Sequence, residues 1–226
     1  FEAALVEPLA TAEADIADFT PRLVRLKQPQ LPAVLQTEQP VTTGNKQNNK
    51  PVSGSVSIEA NIGTLAHRYM EIIAQQGLAA WPSSRIALLL PAMRHWLRQQ
   101  GHAGDAALEA AAIVERLLVT SLSSEDGQWA LKARDAAEVE LAMTNVLGDA
   151  VKNHIVDRTF IEGNIRWIID YKTVELPMDA SQDMLKSTAE NYRTQLETYA
   201  SLFENEGLQV KCAIFFMHIG KLVQLQ

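Results

Sequence analysis

The chain has 226 residues, enough for one large domain with an extension or for two small domains, and its formal charge of −7 is unlike that of a protein that binds DNA through a basic face alone. Its apolar fraction of 47% is typical of a globular protein, and without a long apolar run or a signal-peptide pattern we expect no membrane association. The single cysteine, Cys212, excludes an internal disulfide and a four-cysteine iron–sulfur cluster, and it is typical of a reducing compartment.

Residues 1–60 differ in composition from the rest of the chain. Prolines recur through this segment, and residues 42–51 are polar with few apolar side chains, which is typical of a linker. The sequence starts at Phe1 rather than at methionine, and we therefore interpret it as a piece of a longer protein. The composition predicts a tether over 1–60 and one folded domain over 61–226.

The first half of the folded domain has the periodicity of helices. Apolar residues recur at three- and four-residue spacing over 63–76, which predicts an amphipathic helix. Its predicted apolar stripe consists of Leu65, Tyr69, Ile72 and Ile73. A second helix is expected to start after Pro82, and Pro91 predicts either a kink or a new start within it.

Two further helical segments complete this block. Residues 105–122 are rich in alanine, leucine and glutamate, which favours a helix, and its predicted apolar stripe includes Leu108. One additional helical turn is expected over 129–132. Four helical segments therefore precede any strand pattern.

The middle of the domain changes to the two-residue period of strands. Residues 137–143 alternate apolar and polar side chains, and 145–153 are interpreted as a loop. Two short β-branched runs, 155–160 and 165–169, flank a turn over 162–164. Two such runs around a Gly-Asn turn predict a β-hairpin.

The last part of the chain predicts a return to the sheet through a helix. Residues 182–207 carry apolar side chains at helical spacing, and Gly207 is expected to end one long helix there. A continuous apolar run over 210–217 predicts a buried strand, and 221–225 an edge strand. The order of elements predicts an α/β fold with a mixed β-sheet flanked by helices.

Three charged residues stand at the ends of the two hairpin runs. Asp170 and Lys172 are two residues apart and therefore point to one face of the strand, and Asp157 is expected across from Asp170. Two carboxylates that share a site repel each other unless a cation lies between them, and magnesium suits such hard oxygen ligands. The alternative is a pair of surface aspartates that cap turns.

Four motifs in a fixed order surround these residues. They are Gly-Thr-Leu-Ala-His ending at His67, Asp157, Asp-Tyr-Lys-Thr over 170–173, and Gln195 with Tyr199. The set resembles the RecB-type PD-(D/E)XK nuclease domain, which is found at the C-terminal end of AddA- and RecB-like ATP-dependent helicase–nucleases. The resemblance covers 61–226 and implies a restriction-endonuclease-like core, in which the helical block is a helical insertion and 1–60 is an extended N-terminal linker from a helicase part.

The resemblance also implies roles for individual residues. His67, Asp157, Asp170 and the backbone carbonyl of Tyr171 are expected to ligate the metal. Lys172 is expected to act with the two aspartates in catalysis, beside the attacking water and the scissile phosphate. For His67 the alternative is a structural histidine on a helix. Relatives usually carry glycine three positions before the first aspartate, where this chain has His154, so its metal preference is left open.

A second set of residues is expected to support the site or to contact DNA. It comprises Glu140, Tyr192, Gln195, Tyr199 and Arg158. Glu140 shares its predicted strand face with Glu138, and a solvent-facing edge is the alternative for both. An aromatic stripe is usually core, and most arginines are solvated, so these are the alternatives for the tyrosines and for Arg158. Three further arginines, Arg68, Arg166 and Arg193, are candidates for phosphate contacts by proximity alone.

The resemblance finally implies cofactors, partners and a cellular role. It implies Mg²⁺ or Mn²⁺, no iron–sulfur cluster, and ATP only in the missing helicase part, since no Walker motif is present. The implied partners are single DNA strands from unwinding, helicase domains of the same longer chain, and a second AddB- or RecC-like subunit. The implied role is nuclease action in double-strand-break repair and recombination in the bacterial cytoplasm. The alternatives are a catalytically inert DNA-binding or scaffolding module and a metal hydrolase with another substrate.

Overall fold

The computed structural model describes residues 56–134, 136–147 and 150–225, so the predicted tether over 1–60 lies outside the described residues except for 56–60. Seven α-helices and five β-strands occupy the described part of the chain. The helices are α1 (Ile58–Gln76), α2 (Ser83–Leu88), α3 (Leu90–Gln99), α4 (Gly104–Ser123), α5 (Glu125–Leu131), α6 (Gln182–Glu190) and α7 (Arg193–Ser201). The strands are β1 (Glu138–Leu147), β2 (Ala150–Glu162), β3 (Ile165–Lys172), β4 (Gln209–Phe216) and β5 (Lys221–Leu225).

Helix α1 begins earlier than the sequence predicts and ends where it predicts. The Ser57 hydroxyl accepts a hydrogen bond of 3.2 Å from the Ala60 N–H, which satisfies a free donor of the first turn. Its buried face contains Leu65 and Ile73 as expected, whereas Tyr69 and Ile72 are half-buried. The prediction missed Met70, which is fully buried in their place.

The proline-based prediction of a new helix start is confirmed. Helix α2 ends at Leu88, and α3 begins at Leu90 with Pro91 in its first turn, where a missing N–H costs nothing. The helix predicted over 105–122 is confirmed as α4. Its predicted stripe was wrong at Leu108, which is 52% exposed, whereas the neighbouring Ala107 faces the core. The single turn expected near Trp129 is the end of the longer α5.

The five strands form one mixed sheet in the order β1-β2-β3-β4-β5. The pairs β1–β2, β2–β3 and β4–β5 are antiparallel, while β3 and β4 are parallel. Helices α6 and α7 lie in the chain between the parallel strands, as such a crossover requires. The predicted hairpin is confirmed, with Gly163 at φ 63° in the turn that joins β2 to β3.

The loop predicted over 145–153 is wrong. Strand β1 continues to Leu147 and β2 begins at Ala150, with Asn145 opposite Lys152 in the antiparallel ladder. The sequence did carry a signal for this extension, because the apolar pairs 146–147 and 150–151 flank Gly148-Asp149, a two-residue sequence typical of hairpin turns.

The single long helix predicted over 182–207 is also wrong, because the chain forms two helices, α6 and α7. The N–H of Asn191 bonds to the Thr188 carbonyl and that of Tyr192 bonds to the Ala189 carbonyl, three residues back in each case. This tighter hydrogen-bond pattern ends α6, although the apolar spacing continues across the break. Gly207 lies at φ 71° and follows a short 3₁₀ turn, Glu204–Glu206.

Two apolar cores lie on opposite faces of the sheet. Helices α1 to α5 pack with Phe160, Ile169 and Phe215 on one face. Helices α6 and α7 pack with Val156, Ile168, Ile214 and Phe216 on the other. Adjacent residues of one strand point to opposite faces, as Ile168 and Ile169 do, so the sheet is flanked by helices on both sides. The α/β class with a mixed, helix-flanked sheet is thereby confirmed. Within the described residues, no helix has the length and apolar character needed to cross a bilayer.

Candidate metal centre

The centre of the candidate site is a fork in the sheet. Strands β2 and β3 pair only from Arg158 opposite Ile169 to Glu162 opposite Ile165. Past this point β3 stays paired with β4 and β2 stays paired with β1, but β2 and β3 no longer pair with each other. Asp157 and Asp170 therefore lie where the two strands separate, which opens space for side chains from both helical layers.

Asp157 holds the fork through two contacts. Its Oδ2 accepts a hydrogen bond of 2.7 Å from the backbone N–H of Tyr171. Its Oδ1 lies 3.4 Å from Nδ1 of His67, which α1 supplies from one face of the sheet. The carboxylate is 9% exposed, so its position is fixed by these partners rather than by solvent. The sequence prediction that His67 and Asp157 meet is consistent with this geometry.

Glu140 enters the same cluster through an unusual backbone conformation. It lies at φ 48°, in the left-handed region, and is absent from the β1–β2 ladder between Val139 and Leu141. A non-glycine residue in this region costs about 1–3 kcal/mol, and such strain concentrates at functional sites. The distortion breaks the alternation that was expected to place Glu138 and Glu140 on one face.

His67, Glu140 and Asp157 form a possible metal-ligand set. Each offers one nitrogen or oxygen atom, and these atoms all lie within 4.8 Å of one another. An imidazole and two carboxylates are suitable ligands for Mn²⁺, and the carboxylates are suitable for Mg²⁺. The sequence assigned Glu140 a supporting role, whereas the structure places its carboxylate with the two predicted ligands.

Asp170 lies beside this set but faces the opposite helical layer. Its Oδ2 is 2.6 Å from Nζ of Lys172, and its Oδ1 accepts a hydrogen bond of 2.9 Å from Nε2 of Gln195 on α7. The carboxylate is 2% exposed. The structure thus pairs Asp170 with Lys172 as expected, while its direct ligation of a metal stays a prediction, as does ligation by the Tyr171 carbonyl.

Gln195 connects the acidic and basic groups of this pair. Its Oε1 accepts a hydrogen bond of 3.2 Å from Lys172, and its Nε2 donates to both Asp170 and the hydroxyl of Tyr199, the latter at 2.7 Å. The Lys172 ammonium also lies 4.5 Å from the centre of the Tyr192 ring. The break between α6 and α7 puts Tyr192 at the start of α7, one turn before Gln195. Gln195, Tyr192 and Tyr199 therefore fix the position of Lys172 and Asp170, as the sequence predicts.

Several groups of this cluster have shifted pKa values, because negative charges lie close together where the protein excludes most of the water. Burial, reinforced by the charge of Asp157, raises the pKa of Asp170 to about 6, against the effect of Lys172. Burial and the charge of Asp157 also raise the pKa of Glu140. Burial lowers the pKa of His67, but the hydrogen bond and charge of Asp157 outweigh it, so the net pKa is raised. A divalent cation would relieve this repulsion.

Arg158, which was expected to contact DNA, is a structural residue. It is 2% exposed and donates hydrogen bonds to the carbonyls of Ala130 and Lys132, at the end of α5. Arg166 is likewise buried and holds Glu206 through two bonds of 2.8 Å. Both guanidinium groups form their hydrogen bonds within the protein, so the expectation that they bind phosphate is wrong.

Replacement of Arg158 by alanine is expected to lower the free energy of unfolding by about 2–3 kcal/mol, because it removes a buried side chain together with its charged hydrogen bonds to two carbonyls at the end of α5. Arg98 on α3 is exposed, and its replacement by alanine should change stability by less than about 0.5 kcal/mol. Urea unfolding of both variants measures the difference. Equal stabilities would contradict the structural role of Arg158.

The remaining predicted arginines and His154 lie outside the ligand set. Arg68 is exposed and pairs with Glu71, and Arg193 pairs with Glu190 at 2.6 Å. His154 lies on β2 with its ring 6.0 Å from that of Tyr199, on the α7 side of the sheet, and it is not in the ligand set.

Sequence reasoning missed the close approach of α1 to the end of β3. A Cβ on Gly63 would lie 3.5 Å from the Thr173 hydroxyl, so α1 passes next to the residue that follows Lys172. Gly63, in the first motif, was the residue of the sequence that could have indicated this close approach.

No protein-family profile matches the chain, and a comparison with curated proteins finds no match.

Proposed function

We propose that the described part of this chain is a divalent-metal-dependent nuclease domain that hydrolyses phosphodiester bonds of DNA. The observation that carries the proposal is the convergence of His67, Glu140 and Asp157 within 4.8 Å at the fork, with the Asp170–Lys172 pair beside them. The fork itself, with two carboxylates at the point where antiparallel strands separate, supports a restriction-endonuclease-like core. The resemblance to RecB-type nuclease domains supplies the reaction.

The donor set suits a divalent cation, because it combines one imidazole with the carboxylates of Glu140 and Asp157, and burial together with the charge of Asp157 raises the pKa of Glu140. The ion would be held by His67, Glu140 and Asp157. The carboxylate of Asp170 would lie beside these ligands. When bound, a divalent ion lowers the pKa of its water and offsets charge on a phosphoryl oxygen.

The other residues of the site hold the charged side chains in position and stabilise the charge that develops on the phosphate. The Lys172 ammonium is held between Asp170, Gln195 and the Tyr192 ring, and from there it offers positive charge to the scissile phosphate as negative charge develops. Gln195 keeps both partners of the pair in one geometry, since its amide donates to Asp170 and its carbonyl accepts from Lys172. The hydrogen bond from the Tyr171 backbone N–H to Asp157 keeps the Asp157 carboxylate directed at His67.

The proposed setting is a bacterial ATP-dependent helicase–nuclease, in which helicase domains of a longer chain and an AddB- or RecC-like subunit deliver unwound strands. The formal charge of −7 supports delivery by an assembly, because tethering raises the local concentration of DNA without a basic face. The second candidate is a catalytically inert module that organises strands held by the rest of such a complex, because that role needs no basic face on this chain.

Purified protein is expected to degrade linear single-stranded DNA when Mg²⁺ or Mn²⁺ is added and to stop when the ion is chelated, because the charge of the site is balanced only with the cation bound. Gel analysis of end-labelled strands measures the products. Strand binding without cleavage under both metals would favour the inert module instead.

A further inference from the structure

A cleft of about 320 Å³ lies on the α1 side of the sheet, the side from which His67 reaches the candidate metal centre. Its walls come from the first turns of α1, the middle of α4, the segment after β3, and the turn between β4 and β5. Small-ligand pockets range over roughly 300–1,000 Å³, so this cleft has room for one nucleotide rather than for a longer stretch of strand.

The cleft and the candidate centre are built on the same elements. Ile62 of α1 lines the cleft, and at about 1.5 Å rise per residue it lies about 7.5 Å along the helix axis from His67. Thr173 and Val174 line it too and directly follow Lys172 in the chain. The Met217 N–H donates a hydrogen bond of 2.9 Å to the Lys172 carbonyl, which holds the β4–β5 turn, and hence His218, next to Lys172. The cleft therefore shares the end of β3 with the candidate centre, while the Lys172 side chain itself points to the α7 side of the sheet.

The lining matches the parts of a nucleotide. Ile62, Ile113, Leu117 and Val174 offer apolar surface, and the imidazole of His218 offers an aromatic ring against which a base can stack. Nδ1 of His218 is buried and has no hydrogen-bond partner among the described residues. A buried polar atom without a partner is uncommon, and a ligand that supplies one satisfies it.

The charges of the cleft are mixed rather than uniformly acidic. Arg116 supplies a cation for a phosphate, and the carboxylates of Glu59 and Glu175 can accept hydrogen bonds from the amino groups of a base. Val174 is 37% exposed at the rim, so an apolar surface faces the solvent at the mouth of the cleft.

We propose that this cleft binds one nucleotide of single-stranded DNA, the nucleotide next to the phosphodiester bond at the candidate metal centre. The inference rests on the proposed nuclease function and adds to it a binding site for the neighbouring base. The base lies against the apolar wall and His218, and its phosphate lies at Arg116.

The test is an abasic scan of binding. A labelled deoxycytidine strand of about 12 nucleotides is bound to the protein with Ca²⁺ in place of Mg²⁺, and its anisotropy gives the Kd. The base is removed at one position at a time. Val174→Trp fills the cleft from an exposed position, Arg116→Ala removes its cation, and Arg94→Ala is a matched control, because Arg94 is an equally exposed arginine that lines a different cleft.

In the wild-type protein, loss of the base at one position is expected to weaken binding about tenfold more than loss at the others. Val174→Trp should bind about tenfold more weakly with a flat scan, Arg116→Ala should weaken binding at every position, and Arg94→Ala should match wild type. Thermal unfolding confirms that each variant folds. Two results would overturn the proposed nucleotide site but not the nuclease function. One is a flat scan in wild-type protein that still cuts DNA, and the other is a Val174→Trp scan like that of wild type. Wild-type protein that neither binds nor cuts would overturn both proposals.

Discussion

Replacing Asp170 with asparagine is expected to lower the rate of metal-dependent DNA cleavage by about a thousandfold, with the fold unchanged. The substitution keeps the shape of the side chain and its bond with Gln195, but it removes the charge that faces Lys172 and the ligand set. Initial rates on end-labelled single strands in Mn²⁺ measure the effect. Glu190→Gln is a suitable control, because Glu190 is an exposed carboxylate at the end of α6.

The Asp170→Asn substitution should not lower the free energy of unfolding of the metal-free protein. The folded pKa of Asp170, about 6, lies above its ordinary value of 3.8, so the folded chain holds this proton more tightly than the unfolded chain does. The stability from this group is complete below its ordinary pKa and is lost as the pH rises through about 6. At about pH 8 the ionised carboxylate disfavours folding, so Asp170→Asn should unfold at an equal or higher urea concentration. Lost activity together with lost stability would mean that Asp170 is mainly structural.

Replacing Lys172 with methionine is expected to reduce cleavage by about a hundredfold or more while Mn²⁺ binding is kept or strengthened. Lys172 lies outside the set of His67, Glu140 and Asp157, and its removal leaves the carboxylates with less opposing positive charge. Calorimetric titration with Mn²⁺ separates this variant from Asp157→Asn, which should lose metal affinity and activity together.

Gln195→Ala provides the intermediate case. It leaves Lys172 and Asp170 in contact but without the amide that connects them, so a smaller loss of activity is expected than for Lys172→Met. If Lys172→Met cleaved DNA at the wild-type rate, the role assigned to the ammonium would be wrong.

The parts of the fold that local sequence specifies were predicted well. The hairpin around Gly163, the apolar strand β4 and the alanine-rich helix α4 each follow from a pattern within about 20 residues of the chain. The meeting of His67 with Asp157 joins elements 90 positions apart, and only the order of motifs pointed to it.

The features that sequence reasoning missed depend on tertiary contacts. Nothing in the local pattern indicates that Glu140 adopts a left-handed conformation, since glutamate has no preference for it. The apolar stripe from Leu185 to Tyr199 runs unbroken across Asn191, although the backbone there tightens and starts a new helix. Arg158 was interpreted as a surface group because its partners, the carbonyls of Ala130 and Lys132, lie far away in the chain.

The most direct test of the central claim is a crystal of the protein soaked with Mn²⁺ and measured at the wavelength where manganese scatters anomalously. The account predicts one anomalous peak at the fork between β2 and β3, within coordination distance of His67 Nδ1 or Nε2 and of the carboxylates of Glu140 and Asp157. Saturating Mn²⁺ with no peak at the fork, or a peak that none of these three side chains contacts, would contradict it.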